Sequence, residues 1–324
     1  MNYSNNALNI LIVKTYKGIG KAWIVKNITG IEDDQQIVNL LNRDVKDTQV
    51  SVDELKQRKL RCIQFLKKMS NFADGVVALG DPEFPTHRGR VKNSEKPVLL
   101  FYRGDINLLS STNLNITVIG VLRPDAYTET CEQHLVAKLV GENRATIVSG
   151  LALGCDSIAH AQAIRSQGKT VAILPSALGK ILPVTNQSLA QEIVNMGGLL
   201  ISEYYDEAKT KMELSGRYQE RDRLQALFSD VIILASSYAK NDQGNDSGSR
   251  LAMEYALNYG IPRAVMYDPE TDANNPKYDL NRQLMNDEPT ISVIHPQHLS
   301  DSVMHLLSKV EKSMLVSDKT RFFS

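Results

Sequence analysis

Apolar and polar positions along the chain follow two different rhythms, and the change falls near residue 75. Ahead of it, apolar residues sit at helical spacing. Residues 7–13 form one apolar run, and residues 37–41 and 55–69 have the pattern of amphipathic helices. In the last of these, Leu60, Ile63, Phe65 and Leu66 are the candidate buried residues. Lys17-Gly-Ile-Gly-Lys21 makes a glycine turn before Trp23, either half of a helix-hairpin-helix DNA contact or a plain connector between two small helices. This predicts a small helical domain over residues 1–72.

Beyond residue 75, short apolar β-branched runs alternate with helical segments. Strand candidates lie at 116–119, 145–149, 170–174, 199–202, 231–234, 264–267 and 291–294. Helix candidates lie between them near 127–141, 156–167, 186–196, 218–228, 248–259 and 277–286. Continuous apolar strands separated by helices predict buried, mostly parallel strands joined by right-handed crossovers, an α/β doubly wound sheet over residues 73–311. Residues 80–105 read as an extended, proline-marked entry to that sheet. Residues 312–324 read as a polar C-terminal tail after one amphipathic helix.

The densest signal is the stretch from Thr146 to His160. Apolar β-formers run into a loop holding Gly150 and Gly154, and the loop runs into a helix start at Asp156 and Ser157. A strand, a glycine turn and a helix N-terminus make the usual phosphate-binding corner, since unpaired backbone N–H groups there face a closely approaching anion. The stretch is neither G-x-G-x-x-G nor G-x-x-x-x-G-K-[ST], so dinucleotide and P-loop chemistry do not follow from it. In an open α/β sheet the ligand lies beyond the carboxyl ends of the strands. The polar, glycine-containing loop 236–248 follows such an end and is expected to border the site.

Bulk composition narrows the classes without choosing one. The 324 residues are 42% hydrophobic and 23% charged, ordinary globular values. Lys+Arg and Asp+Glu are both 37, so no diffusely basic coat exists, although a local basic groove remains compatible with zero net charge. Cys62, Cys131 and Cys155 are far apart, have no metal spacing and read as reduced thiols of a cytoplasmic protein. No run is long enough to span a membrane, and the start Met-Asn-Tyr-Ser-Asn-Asn lacks the features of a signal peptide. A single Trp23 and few aromatic residues argue against a base-stacking groove as the main feature.

Basic residues gather at the predicted strand ends. Arg123, Lys169, Arg221, Arg223 and Arg250, with two helix N-termini, describe an anion site; each arginine alone could equally be a surface or interdomain ion pair. Lys169 precedes its strand and so falls at the opposite end of the sheet. Asp156 is a helix-capping residue or a ligand contact. His160, one turn on, is a structural histidine or a general base. Glu203 could hold a ribose hydroxyl or pair with an arginine. No Ser/His/Asp set or paired carboxylates stand out, so a binding site is better supported than a catalyst.

Taken together, these motifs resemble the DprA/Smf family of DNA-processing proteins, from about Gly80 to about Val293. Gly80-Asp-Pro-Glu-Phe-Pro85 is similar to G-D-x-x-F/Y-P, and Pro97 to Asp105 to P-x-x-L-F/Y-x-x-G. Ser149 to His160 reproduces S-G-x-A-x-G-x-D-x-x-A-H at every fixed position. Gly168-Lys-Thr, Leu182-Pro183 with Asn186 and Leu189, and Ile201-Ser-Glu203 follow in the family order. Tyr218 to Arg223 resembles F-x-x-R-N-R, and Ser247-Gly-Ser249 resembles the S-G-S before a helix.

The resemblance implies a Rossmann-like domain that binds single-stranded DNA and loads a RecA-type recombinase in natural transformation, as a homodimer, without cofactor, metal or catalytic residues. It carries DNA contacts over to Arg123, Lys169, Ser149, Gly150 and Gly154, and the strand ends and helix starts add Asp156, Arg221, Arg223, Ser247, Gly248 and Ser249 as DNA or phosphate contacts. Departures mark a divergent member. Gly120-Val-Leu-Arg123 carries an extra residue before the arginine, Leu174-Pro-Ser-Ala-Leu178 replaces a glycine-rich loop, Asp222 stands for the asparagine of R-N-R, and no winged-helix sequence follows the sheet. The alternative is a nucleotide-binding sensor or phosphoribohydrolase-like relative, with phage defence as a candidate role. Against the enzyme, Gly244 to Ser249 lacks a doubled glycine, and Ala252 stands where that chemistry needs a glutamate.

Overall fold

A computed structural model of the chain describes residues 1–31, 33–45, 49–240 and 248–321, with backbone alone beyond residue 311. Four helices come first: α1 (Asn5–Val13), α2 (Lys21–Asn27), α3 (Asp34–Asp44) and α4 (Val52–Met69). The longest of them is set by its ends. The Ser51 hydroxyl accepts from the Glu54 N–H, Asp53 and Glu54 occupy the first turn, and Lys67 and Lys68 occupy the last, so charge opposes the helix dipole at both termini. Its buried stripe is Leu55, Leu66 and Met69, with Cys62 and Ile63 partly covered. The expected burial of Leu60 and Phe65 is corrected: they are 62% and 37% exposed. Leu60 is five residues from Leu55, which at 3.6 residues per turn places it on the opposite face.

The sheet has nine strands: β1 (Gly75–Ala78), β2 (Leu99–Gly104), β3 (Asn115–Ile119), β4 (Thr146–Ser149), β5 (Thr170–Ile173), β6 (Leu199–Ser202), β7 (Val231–Leu234), β8 (Arg263–Met266) and β9 (Ser292–Ile294). They lie in the order β1-β2-β6-β5-β4-β3-β7-β8-β9. From β6 to β9 in that order every pairing is parallel, as β-branched runs buried on both faces require; β1 and β2 pair antiparallel to each other, and β2 to β6. All seven strands expected from the sequence are present within a residue or two. The proline-marked entry instead contributes β2, which with β1 just ahead of it adds an antiparallel pair to the sheet edge. The helices that cover the faces are α5 (Ala126–Asn143), α6 (Cys155–Arg165), α7 (Gln187–Asn195), α8 (Lys211–Leu227), α9 (Ser249–Tyr259), α10 (Asp279–Asp287) and α11 (Leu299–Arg321). The last runs through most of the stretch read as a tail. No helix of the described residues is long and apolar enough to cross a membrane.

Strand order reverses between β3 and β7: the chain builds outward from β3 through β4, β5 and β6, then returns to lay β7 on the other side of β3. Loops after β3 and β7 therefore diverge over opposite faces and leave a crevice at their carboxyl ends.

The first helices are not a separate globule. Leu8, Ile10, Leu41 and Leu66 share one buried cluster with Phe101, Leu174, Leu178, Ile193 and Leu200 of the sheet and its helices. A polar joint accompanies it. Lys21 Nζ lies 2.8 Å from Glu220 and 3.5 Å from Glu203, and Glu203 is itself held bidentate by Arg223. The glycine turn thus leads from α1 into α2 and docks its lysine on the sheet domain. In the urea midpoint at constant m, Leu66→Ala is expected to cost about 2–5 kcal/mol, whereas Leu60→Ala should cost under about 0.5 kcal/mol.

Candidate nucleic-acid interface

A cavity of about 680 Å³ opens at the strand-order reversal, between the end of β3 and the N-termini of α6 and α9, with α8 as its floor. Asp156, Arg221, Gly248 and Ser249 are in its wall, together with Tyr218, Asp222 and Gln225. Leu122 and Leu153 form its lip and are 56% and 45% exposed.

The loop between β4 and α6 is rigidly built. The buried Ser149 hydroxyl donates to Val118 O at 2.7 Å, tying β4 to β3. Leu151 is fully buried with φ at 58°, a conformation that costs a non-glycine residue on the order of 1 kcal/mol. The Asn186 amide holds it there, donating to Leu151 O at 2.8 Å, Ala152 O at 3.2 Å and the Ser157 hydroxyl at 2.8 Å. At Gly154, with φ at 72°, a Cβ would stand 2.3 Å from Val121 O. At Gly150 a Cβ would stand 1.1 Å from Arg221 Nη1, so only glycine lets the guanidinium lie against the loop.

The amides expected to meet a ligand phosphate already hold an anion. Asp156 Oδ2 accepts from Gly150 N–H at 3.1 Å and Ala152 N–H at 3.2 Å, and it lies 3.6 Å from Arg221 Nη1. Arg221 Nε in turn lies 3.3 Å from Asp222 Oδ1. With the Gln225 amide oriented to suit its neighbours, it donates to Asp222 Oδ1 at 3.3 Å, and its oxygen accepts from Arg221 Nη1 and Gly150 N–H, both at 3.0 Å. Two carboxylates thus face one guanidinium, and the floor of the cavity is acidic. Burial, against the pull of Arg221 and with the help of Asp156, pushes the Asp222 carboxyl up to about 7.

Beneath this floor burial pushes the titratable groups toward their neutral forms. His160 is fully buried, and burial followed by Arg221 pulls its imidazole down to about 3. The Thr170 hydroxyl donates to Ile147 O, so His160 Nδ1 must carry the proton it shares with Thr170 Oγ1 at 2.6 Å. A buried imidazole fixed in this way is structural. Burial raises Glu132 well above the ordinary carboxylate range, and raises the adjoining Cys155 thiol as well.

The remaining residues singled out in the sequence are distributed as follows. Arg123 is exposed, one residue past the cavity lip at Leu122. Arg250 is in the cavity wall, paired with Glu254 at 2.6 Å. Ser249 Oγ donates to Gly120 O at 3.2 Å, and Ser247 lies outside the described residues. Two residues are not brought to the cavity. Lys169 stands before β5 at the far end of the sheet, with Nζ donating to Met196 O at 2.7 Å. Arg223 is 3% exposed and fully engaged with Glu203, Glu95 O and Glu220 O. Of the two readings of Glu203, it takes the arginine. Among the described residues no group of His, Cys, Asp and Glu could hold a metal ion.

Tyr218, Asp222 and Gln225 were not singled out as site residues, although their i, i+4, i+7 spacing is the signal that puts them on one helix face. Because the folded protein keeps the Asp222 proton up to about pH 7 and the unfolded chain loses it near about pH 4, stability falls as pH rises through that window. Asp222→Asn removes the buried charge, so its melting temperature is expected to exceed that of the parent by several degrees at about pH 8 and by less at about pH 5. An equal gain at both would show that Asp222 is ionised throughout.

The profile of the DNA recombination-mediator protein A family matches residues 75–303. The DNA processing protein DprA of Bacillus subtilis is 30% identical over 166 residues, 51% of this chain and 52% of that one, so the chain spans about half the length of such a relative. The X-ray structure of DNA processing protein A from Streptococcus pneumoniae superposes with a TM-score of 0.66 at 20% identity, covering 91% of this chain and 95% of that one. A structure of DNA processing protein A from Helicobacter pylori, described for its single-stranded DNA binding mode, superposes with a TM-score of 0.54 at 28% identity, covering 70% of this chain and 98% of that one. With the fold, the Ser149–His160 motif and the profile in agreement, the chain belongs to the DNA recombination-mediator protein A family, the DprA/Smf family.

Proposed function

We propose that this protein binds single-stranded DNA at the crevice between β3 and β7, without cleaving it, and passes the strand to a RecA-type recombinase. The observation that carries the reading is the split character of the crevice, with exposed Arg123 beside the lip and Arg250 in the wall over an acidic, solvent-poor floor. Cations at the mouth suit a backbone passing across it. The Helicobacter pylori relative, described for binding single-stranded DNA, supports the same ligand. The expected contacts from the S-G-x-A-x-G loop are indirect: Ser149, Gly150, Gly154 and Asp156 shape the wall and position Arg221. Handover to a recombinase is in keeping with the family's description as a recombination mediator, and assembly as a homodimer is proposed with it. No catalytic step is proposed, since the titratable groups under the floor are sealed away from the cavity.

Fluorescence anisotropy with a labelled oligonucleotide over a salt series tests this. Affinity should fall as salt rises, and Arg123→Ala should weaken binding and flatten the slope by about 0.7 for each phosphate the arginine neutralises. Lys169→Ala should change it less. No binding at low salt, or binding indifferent to Arg123, would overturn the reading. Sedimentation of the complex and recombinase filament growth on protein-coated single strands check the dimer and the handover.

A further inference from the structure

The outward face of α4 is a second concentration of positive charge. Between residues 55 and 73 the chain carries six cations and no carboxylate, although its net charge is zero. The fold treats these cations in two ways. Arg58 and Lys59, on the half-buried flanks, are matched: Arg58 lies 2.9 Å from Glu54 and stacks on Tyr16, and Lys59 pairs with Asp34. Lys56, Arg61, Lys67 and Lys68 are exposed and pair with no carboxylate among the described residues. Lys67 and Lys68 offset the helix dipole in the last turn, but Lys56 and Arg61 stand too far from that end to do so.

Apolar side chains are interleaved with the charges. Leu60 and Phe65 are exposed on the same face, and Phe72, just past the helix, is 46% exposed. Arg61, Phe65 and Lys68 follow at i, i+4, i+7, so they share one flank. Each ring is held along one edge. Phe65 stands edge-on to Tyr205 with centroids 5.4 Å apart, and Phe72 lies against Gly179, where a Cβ would come within 3.1 Å of the ring. Rings fixed in this way lose little freedom when a flat partner covers what remains open.

These contacts also locate the face. Tyr205 follows β6 and Gly179 follows β5, so this flank of α4 borders the carboxyl ends of the parallel strands, the same end as the crevice. The loop from β5 to α7 touches both places, with Gly179 against Phe72 and Pro183 in the cavity wall. At about 4.8 Å between neighbouring strands, β5 and β6 lie about 10–15 Å from β3.

Resting on the single-stranded DNA reading above, we propose that the α4 face, with Phe72, is a second contact surface for the strand. Beyond the crevice the strand passes over the loops that follow β5 and β6 and lies along α4. Its phosphates meet Arg61 and Lys68, and its bases stack on Phe65 and Phe72. Unmatched cations suit a polyanion. Rings set among them suit unpaired bases, whose faces are open, rather than a duplex, whose bases are already stacked. A helix lying in a lipid surface buries a continuous apolar face, whereas exposed Gln57, Gln64 and Lys68 run along the middle of this one.

The experiment uses the full chain and a labelled thymidine tract of about 25 nucleotides, longer than the roughly 4–16 that a single fold engages. At about 0.15 M salt, where exposed charges more than about 8 Å apart are screened, Arg61→Ala with Lys68→Ala should weaken binding about tenfold and flatten the salt slope by about 1.4. Phe72→Ala should weaken it at least about fivefold, and Phe72→Tyr should restore it. Lys169→Ala is the neutral control. A tract substituted with 5-iododeoxyuridine should photocross-link to the segment holding Phe65 and Phe72. If Arg123→Ala weakens binding and the α4 variants do not, the proposal is overturned and the crevice reading stands. If the α4 variants weaken it and Arg123→Ala does not, the second surface stands and the crevice reading falls. If the parent binds no tract, both fall. Phosphatidylcholine vesicles containing phosphatidylserine form the last arm: binding that the α4 variants remove, with the tract unaffected, would assign the face to a lipid surface instead.

Discussion

The architecture of the crevice depends on one carboxylate. Asp156 accepts the Gly150 and Ala152 amides and faces the Arg221 guanidinium, so the bend after β4 carries its own counter-ion. This satisfies N–H groups that would otherwise be orphaned ahead of α6, and it stabilises Leu151 in a conformation its side chain disfavours. It also decides what the bend can do. A corner of this shape elsewhere receives a phosphate; here the same geometry anchors an arginine, which in turn holds Asp222 and Gln225 in line along the floor.

Helix α8 sorts its arginines by direction. Arg217 turns to Asp206 and stacks on Tyr204, Arg221 turns to the crevice, and Arg223 turns to Glu203 beneath the first helices. Residues two apart on a helix point to different sides, so adjacent charges in the sequence serve unrelated sites. The Arg223–Glu203 pair joins Lys21 and Glu220 at a partly buried joint between the helical segment and the sheet. Removing one partner from such a joint leaves a charge without water or a counter-ion, which costs more than the pair contributes when intact.

How far the sequence could be read follows from the kind of signal each element leaves. The parallel strands were legible because burial on both faces makes them continuous apolar runs of the right length. The antiparallel pair β1 and β2 was not, since runs of four and six residues are too short to carry a period of their own. On α4, apolar residues on both faces hid which stripe faces the core, and Leu60 and Phe65 were assigned to the wrong one. At the crevice, motif order placed the loop and Arg221 but not their chemistry. Whether a glycine loop meets a ligand or an internal carboxylate depends on where the Asp156 side chain points, and a string of letters does not encode that. Arg223 was misplaced for the same reason: its partner Glu203 is twenty residues away and meets it only through the crossover from β6 to α8.

The sheet ends differently at its two margins. Beside β1, Asn2 forms a bridge with Gly75: its amide donates to Asp74 O at 2.7 Å and its carbonyl accepts from Val76 N–H at 2.9 Å. The opening residues of the chain thereby occupy hydrogen-bonding positions that a foreign strand would need for docking, and the helices behind them bury what remains. Protection of this kind turns a margin that could template runaway stacking into a closed seam. Copies of the protein that come together must therefore meet through side chains on helices and loops on that flank, because backbone-to-backbone extension is blocked there.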